Sequence, residues 1–248
     1  MAELSTAIQK VRESVVAIAR VHLLTPETVE KGKVQPGTVN ISFGSGFCLA
    51  RDRYVVTAYH VLNGGQPPDA RDKYYAFVVP RNAEAAFHFP VAGIPVQKPE
   101  FDMAVLELGP CATSGISLPA LPISFAQPAD GTHVLTVGFP APEVVAVNVD
   151  KEGNYLGGQL FLKSHANEGI VAAQYVLGGV QVYELNIGWH HGESGGPIVS
   201  LTDPLAAFSM MQQYRNVQSP HGMVAGPRRG CALAHLGSEL AALGILPE

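Results

Sequence analysis

The sequence has few charged residues and no surplus of basic ones. Asp, Glu, Lys and Arg make up 15% of its 248 residues, and the formal net charge is -5. A surface that binds nucleic acid usually carries an excess of Lys and Arg. The adjacent pair Arg228-Arg229 stands alone, and we expect it to be solvated. The composition therefore predicts no nucleic-acid partner.

Cysteine is also scarce, and long apolar runs are missing. Cys48, Cys111 and Cys231 cannot all pair within the chain and have no Cys-x-x-Cys spacing, which is typical of reduced structural thiols inside cells. The chain does not open with a basic segment followed by an apolar core. No apolar run approaches the roughly 18 residues of a spanning helix. The sequence thus predicts a cytoplasmic protein that does not contact a membrane.

The hydrophobic content of 47% and the 26 glycines predict a compact protein with a large buried core. Many short apolar runs are separated by glycine and proline, which favours an all-β sandwich or barrel. Residues 109–120 lack periodicity and are predicted to link two units, 1–112 and 113–248. A short helix is predicted near the amino terminus, and the spacing of Ala232, Leu233, Leu236, Leu240 and Leu243 predicts a helix at the other end.

The most informative stretch is residues 192–197, which read GESGGP. Glycines on both sides of Ser194 let the chain turn sharply and let a ligand approach main-chain N–H groups. A serine nucleophile needs this exposure, and the N–H groups of Gly192 and Ser194 would stabilise the negative oxygen of an acyl-transfer intermediate. By itself, however, a glycine-rich turn is equally typical of an ordinary strand connection.

Two other stretches support the chemical interpretation. His60 lies in an apolar run that predicts a strand, with the histidine at its end, and Asp102 immediately precedes another apolar run. A base and a buried carboxylate are what a serine nucleophile requires, and the chain order His60, Asp102, Ser194 is one of the known orders of such a triad. These three residues are therefore the candidate catalytic residues.

Four ordered motifs resemble those of trypsin-like serine peptidases. The runs read GSGF at residues 44–47, TAYHVL at 57–62, DMAVL at 102–106 and GESGGP at 192–197. The similarity extends from about Ser14 to about Leu243, and it is closer to the bacterial HtrA-like branch than to the digestive enzymes. The resemblance implies two six-stranded antiparallel β-barrels, with His60 and Asp102 on the first and Ser194 on the second. It also implies a serine endopeptidase that acts on proteins or peptides.

The resemblance further implies where a substrate side chain would bind. Its pocket would be formed by Gly188, Trp189, Ser209 and Met210, and Ser209 would also support the catalytic aspartate. No acidic residue falls at the expected base of the pocket, so a preference for a small or medium apolar residue is expected. Trp189 is equally consistent with a core or rim aromatic residue.

Two functions other than an endopeptidase are also compatible with these residues. One is a catalytically silent or conditionally active module that binds peptides by strand addition, and another is a hydrolase of small esters with the same triad. The adjacent histidines His190 and His191, even with His221, lack a carboxylate or cysteine at ligand spacing, so no metal or other cofactor is expected. Because the resemblance does not extend to a PDZ domain, a regulatory partner protein is a further expectation.

Overall fold

The structure is a computed structural model. It describes residues 3–26, 28–30, 33–35, 37–64, 69–80, 85–188, 190–202, 204–212, 216–219, 222–225 and 227–248. Strands dominate these ranges. In chain order the elements are α1 (Leu4–Glu13), β1 (Val15–Thr25), β2 (Thr28–Glu30), β3 (Lys33–Gln35), β4 (Thr38–Ala50), β5 (Tyr54–Ala58), α2 (Tyr59–Asn63), β6 (Asp72–Val78), β7 (Phe87–Lys98), a 3-10 turn (Pro99–Phe101), β8 (Met103–Leu108), β9 (His133–Gly138), β10 (Glu143–Val149), β11 (Tyr155–Phe161), β12 (His165–Leu177), β13 (Val180–Leu185), β14 (Pro197–Ser200), β15 (Ala206–Met211), β16 (Asn216–Ser219), β17 (Gly222–Ala225), β18 (Arg228–Ala232), a 3-10 turn (Leu233–Leu236) and α3 (Gly237–Ala242).

The first six long strands close into a barrel in the order β1-β4-β5-β8-β7-β6, with every pair antiparallel. Strand β5 is buried at all five positions, because its inner face lies in the first barrel and β15 of the second barrel packs against it. Burial on both faces explains why this run is apolar without alternation. Helix α1 packs Ala7 and Val11 into the same core.

The second barrel closes in the order β12-β13-β18-β15-β14-β9 and is also antiparallel. Two six-stranded antiparallel barrels with a short helix near each end were predicted, and the structure confirms this fold. The proposed boundary between residues 112 and 113 falls in the connection between β8 and β9 and stays a prediction.

The terminal helix is shorter than the sequence predicted. Ala232 belongs to β18, a strand that was not predicted, and only Gly237–Ala242 is α-helical. Strand β18 pairs with both β13 and β15, so the barrel holds these residues in the extended conformation. The leucines at 233, 236 and 240 are fully buried. Their spacing therefore indicates which residues face the core, and it does not indicate one continuous helix.

Strands β10 and β11 form a hairpin outside both barrels, between β9 and β12. Its far end reaches back to the first barrel, where the backbone N–H of Tyr155 donates to the Tyr75 hydroxyl at 2.8 Å. The Tyr155 ring packs edge-on against Phe77 and His88. The hairpin therefore connects the two barrels.

None of the helices in the described ranges is both long enough and apolar enough to cross a membrane.

Candidate active site

Strand register brings His60 and Asp102 together. Strands β5 and β8 run antiparallel, and Ala58 pairs with Met103 at their shared end. His60 follows Ala58 by two residues, and Asp102 precedes Met103, so both lie just beyond the same edge of the first barrel. Their side chains are 16% and 29% exposed.

His60 lies on the one-turn helix α2 and not at the end of a strand, which corrects the sequence prediction. Asp102 stabilises the start of this helix from outside. Its backbone oxygen accepts the N–H of Tyr59 at 3.1 Å, and its Oδ1 accepts the N–H of His60 at 2.9 Å. These donors are the N–H groups that the first turn of a helix cannot pair by itself. Gly64 ends the helix with φ 69° and donates to the His60 oxygen.

The second carboxylate oxygen holds the imidazole ring. His60 Nδ1 lies 2.8 Å from Asp102 Oδ2. An ionised carboxylate can only accept a hydrogen bond, so Nδ1 carries the hydrogen and Nε2 of the neutral ring is left as an acceptor. Asp102 itself adopts a left-handed conformation with φ 52°, which is uncommon for an aspartate and turns its carboxylate toward the helix. This geometry orients a general base.

Ser194 lies in the turn before β14 and is nearly buried, at 9% exposure. The turn packs against the first barrel, where the backbone carbonyl oxygen of Ser194 accepts the N–H of Ser45 at 2.7 Å. A Cβ at Gly195 would lie 2.0 Å from the backbone carbonyl oxygen of Ser45 and 3.0 Å from the backbone nitrogen of Ala58. Glycine at 195 thus brings Ser194 beside the end of β5, where the helix of His60 begins. Among the described residues no hydrogen bond joins the Ser194 hydroxyl to the His60 ring.

The peptide between His191 and Gly192 has a defined orientation. Its carbonyl oxygen accepts the N–H of Ala141 at 2.9 Å. Because C=O and N–H point in opposite directions across a trans peptide, this bond turns the Gly192 N–H the other way. Within the described ranges, neither that N–H nor the N–H of Ser194 donates to a protein acceptor. Their role as oxyanion donors stays a prediction.

Ser45 fixes the same turn from the first barrel. Its hydroxyl is buried, donates to Gly192 oxygen at 2.7 Å and accepts the N–H of Phe139 at 2.9 Å. The backbone N–H of Ser45 also donates to the Ser194 carbonyl oxygen. Ser45 therefore connects strand β4, the segment of Phe139 and the turn of Ser194. Ser45 belongs to the GSGF motif at residues 44–47, but the motif alone did not predict this role.

The side chain of Glu193, a residue of the same turn, is buried in the protein. Its Oε2 lies 2.8 Å from Arg228 Nη1, and the two side chains are 4% and 1% exposed. Arg228 was expected to be solvated, and this was wrong because its guanidinium is enclosed in the second barrel with an acidic partner. Burial lowers the pKa of Arg228, whereas the hydrogen bond and charge of Glu193 oppose that shift.

The four residues predicted to form a substrate pocket lie in different environments. Gly188 is exposed, whereas Ser209 and Met210 are fully buried in the second barrel. The Ser209 hydroxyl donates to Cys231 oxygen at 2.8 Å and makes no bond to Asp102 within the described part of the chain. Trp189 lies outside the described residues. The assignment of this pocket stays a prediction.

Gln212 supports the turn that carries Asp102, and sequence reasoning missed it. Its Nε2 donates to Phe101 oxygen at 2.6 Å, across the contact between the barrels. Its own N–H donates to Arg229 oxygen, which anchors it to β18. No motif in the sequence indicated this contact, because it joins residues 111 positions apart.

The described residues contain no group of three His, Cys, Asp or Glu side chains arranged to hold a metal ion. His190 packs its ring edge-on against His165 at 6.0 Å between centroids. His221, the third histidine considered in the sequence analysis, lies outside the described residues.

The sequence and the fold are similar to those of known proteins. The sequence profile of the Trypsin-like peptidase domain matches residues 44–205, which is more than half of the chain. No curated protein matches at a significant level. The fold is similar to the crystal structure of Deg5, with 17% identity, a TM-score of 0.58 and coverage of 90% of this chain and 88% of that one. It is also similar to the HtrA-type protease AlgW, solved with a tripeptide, with 17% identity, a TM-score of 0.59 and coverage of 98% of this chain and 64% of that one. These structural similarities concern the fold, and the profile match extends over all three candidate catalytic residues. The chain therefore belongs to the trypsin-like peptidase domain family.

Proposed function

We propose that this protein is a serine endopeptidase that cleaves peptide bonds with Ser194, His60 and Asp102. The family match supports peptidase activity. The observation that carries the proposal is the double contact of Asp102 with His60, at 2.9 Å to the backbone N–H and 2.8 Å to Nδ1. This arrangement leaves Nε2 free to accept a proton, which is the role of the base in a serine triad.

The proposed reaction begins with attack of Ser194 Oγ on the carbonyl carbon of the scissile bond. His60 Nε2 removes the hydroxyl proton as the new C–O bond forms. The carbonyl oxygen becomes negative and accepts hydrogen bonds from the N–H groups of Gly192 and Ser194. His60 then gives its proton to the leaving amine, and the C–N bond breaks. Water repeats the sequence on the acyl-enzyme and releases the acid.

Proteins or peptides are the substrates that the family implies, and we propose that the protein works inside cells. The two buried thiols fit a reducing compartment, since Cys48 and Cys231 lie in the two barrels with no disulfide.

A peptide-library profile measures which residue is preferred on the amino-terminal side of the cleaved bond. Our expectation of a small or medium apolar residue would be overturned by a profile that favours Lys or Arg.

Labelling by a fluorophosphonate probe tests the proposal directly, because the probe reacts with an activated serine. We expect the wild type to be labelled and Ser194→Ala to be unlabelled while both have the same circular dichroism spectrum. Hydrolysis of unfolded casein, with the same variant as control, then separates a peptidase from a hydrolase of small esters. Equal labelling of both proteins would overturn the assignment of Ser194.

A conditionally active peptide-binding module is the second candidate. One observation favours it: the described contacts include no hydrogen bond between the Ser194 hydroxyl and the His60 ring. Catalytic hydrogen bonds are often long before substrate binds, so this geometry is compatible with activity. A folded wild type that resists the probe alone, but reacts after a partner protein is added, would favour the conditional form.

A further inference from the structure

Glu193 lies between the two residues whose N–H groups are the proposed oxyanion donors, and its side chain points into the protein. Four per cent of the side chain is exposed. Its carboxylate accepts three hydrogen bonds: from Arg228 Nη1 at 2.8 Å, from Asn167 Nδ2 at 3.0 Å and from the backbone N–H of His190 at 3.2 Å. The carboxylate is thus held by three separate segments of the second barrel.

The pair with Arg228 differs from the other ion pairs. Among those within the described ranges, it is the one in which both side chains are less than 5% exposed. A buried charge that loses its partner is strongly destabilising, because neither water nor another group compensates it. Arginine remains protonated at neutral pH even where burial lowers its pKa. The buried ion pair with Arg228 therefore helps to anchor the Glu193 carboxylate in its site.

The position of Glu193 controls the backbone on both sides of it. The turn is closed by Glu193 N–H on His190 oxygen at 3.5 Å and by Gly196 N–H on Glu193 oxygen at 3.0 Å. Gly192 has φ 97°, and because glycine has no Cβ its backbone can also adopt other conformations unless its neighbours are fixed. An anchored Glu193 fixes one neighbour, and the bond from Ala141 to His191 fixes the other.

We propose that Arg228 is a positioning residue that, through Glu193, keeps the N–H groups of Gly192 and Ser194 in the orientation an oxyanion requires. The inference rests on the proposed function. It means that an ion pair within the second barrel holds the turn that carries the oxyanion donors. Arg228 acts on the turn and not on the substrate.

The test compares Arg228→Met with a matched control on the same strand. Arg229→Met changes the neighbouring arginine, which pairs with Glu184; both side chains of this pair are partly exposed, at 17% and 21%. Met keeps much of the length of the arginine stem and removes the charge. We expect Arg228→Met to slow fluorophosphonate labelling of Ser194 by about 100-fold or more, the effect of losing one oxyanion donor. Labelling of Arg229→Met should stay within about 3-fold of the wild type, since the described contacts of its side chain are with Glu184 and Tyr175 and not with the turn of Ser194.

Two further measurements separate positioning from loss of the fold. The double variant Glu193→Gln, Arg228→Met removes both charges, so no unpaired charge is buried if the single variant fails to fold. In it we expect a native melting transition together with slow labelling. With p-nitrophenyl acetate the loss should fall on kcat and leave KM nearly unchanged, because the interaction is made in the transition state.

Hydrogen–deuterium exchange of residues 190–197 gives a readout that does not depend on catalysis. We expect faster exchange of this segment in Arg228→Met than in Arg229→Met. If the wild type resists the probe but this difference in exchange is present, the proposed function fails and the positioning role stands. If the folded Arg228 variants label at the wild-type rate and exchange as slowly, the positioning role is overturned and the proposed function is unaffected.

Discussion

The hydroxyl of Ser45 donates to the carbonyl oxygen of Gly192 at 2.7 Å, although 147 positions separate the two residues. The contact joins the first barrel to the turn that carries the proposed nucleophile. Because Ser45 is buried, its hydroxyl has no water to replace either partner. The orientation of the peptide between Gly192 and Glu193 therefore depends on a side chain from the other barrel.

Replacement of Ser45 by alanine should slow acylation of Ser194. The change leaves Gly192 oxygen and Phe139 N–H without their buried partner, which typically costs about 1–3 kcal/mol. If that cost falls on the oxyanion geometry, labelling by a fluorophosphonate slows by about 10- to 100-fold. The exposed Ser238→Ala is the control and should label like the wild type. Labelling of Ser45→Ala at the wild-type rate would remove Ser45 from the positioning of this turn.

Much of the fold could be predicted because it follows local patterns. Short apolar runs broken by glycine and proline indicate barrel strands, and both barrels are present. Strand β5 and helix α2 mark the limit of this approach. Their combined run is mostly apolar, so periodicity does not distinguish strand from helix. The helix begins at Tyr59 because Asp102, far away in sequence, accepts the N–H groups of Tyr59 and His60.

The candidate catalytic residues could be found by sequence because each lies in a motif. Their supporting residues could not. Arg228 and Gln212 act on the turns of Ser194 and Asp102 through contacts across the sheet, and neither has a motif of its own. A sequence presents Arg228 as one of two adjacent basic residues, and only the register of β18 shows which of the two faces inward. Arg228 is 2% exposed, whereas Arg229 bonds Glu184 in a partly exposed pair.

Substitution of Asp102 by asparagine should nearly abolish the proposed reaction while the fold is kept. The amide would present a donor to Nδ1 and so favour the wrong imidazole tautomer, which lowers kcat about 10,000-fold in the known serine triad. The rate of fluorophosphonate labelling measures the change. Asp130→Asn, at an exposed aspartate, is the control. A rate within 10-fold of the wild type would mean that Asp102 does not orient the base.

A methyl group at position 195 should prevent native packing. The Cβ of Gly195→Ala would lie 2.0 Å from Ser45 oxygen, at a backbone φ of 90° that alanine rarely adopts. Strain and overpacking together should destabilise the protein by about 3 kcal/mol or more. Gly93→Ala is the matched control, because its Cβ would meet a single atom at 4.0 Å. Urea unfolding measures both, and equal midpoints for the two variants would contradict the close contact.

Two of the three cysteines should resist thiol reagents in the native protein. Burial raises the pKa of both Cys48 and Cys231 to about 12, so their reactive thiolate forms only above that pH. Cys111 is partly exposed. We expect Ellman's reagent at pH 8 to titrate one thiol in the folded chain and three in guanidinium chloride. Reaction of Cys48 or Cys231 in the folded protein, identified by mass spectrometry, would contradict their burial.

Asp72 should make the stability of the first barrel depend on pH. Its carboxylate is fully buried and accepts hydrogen bonds from Arg20 Nε at 2.8 Å and from His22 Nδ1 at 2.7 Å. The Tyr74 hydroxyl and the N–H of Asp69 also donate to it. Burial alone would raise the pKa of Asp72, but the bonds from Arg20 and His22 outweigh it, so the pKa lies below its usual value.

A lowered pKa in the folded state stabilises the protein above the unfolded pKa of about 4, and this contribution is lost as the pH falls through the folded value. We expect Asp72→Asn to lower the free energy of unfolding by about 1–3 kcal/mol at pH 7, because it weakens buried hydrogen bonds to charged donors. The difference from the wild type should shrink at pH 3, which is below the unfolded pKa, because protonation of the carboxyl group in the unfolded state then favours unfolding. Urea unfolding at both pH values measures it, with Asp130→Asn as the control. A difference that is the same at pH 3 and pH 7 would show that the charge of Asp72 does not stabilise the barrel.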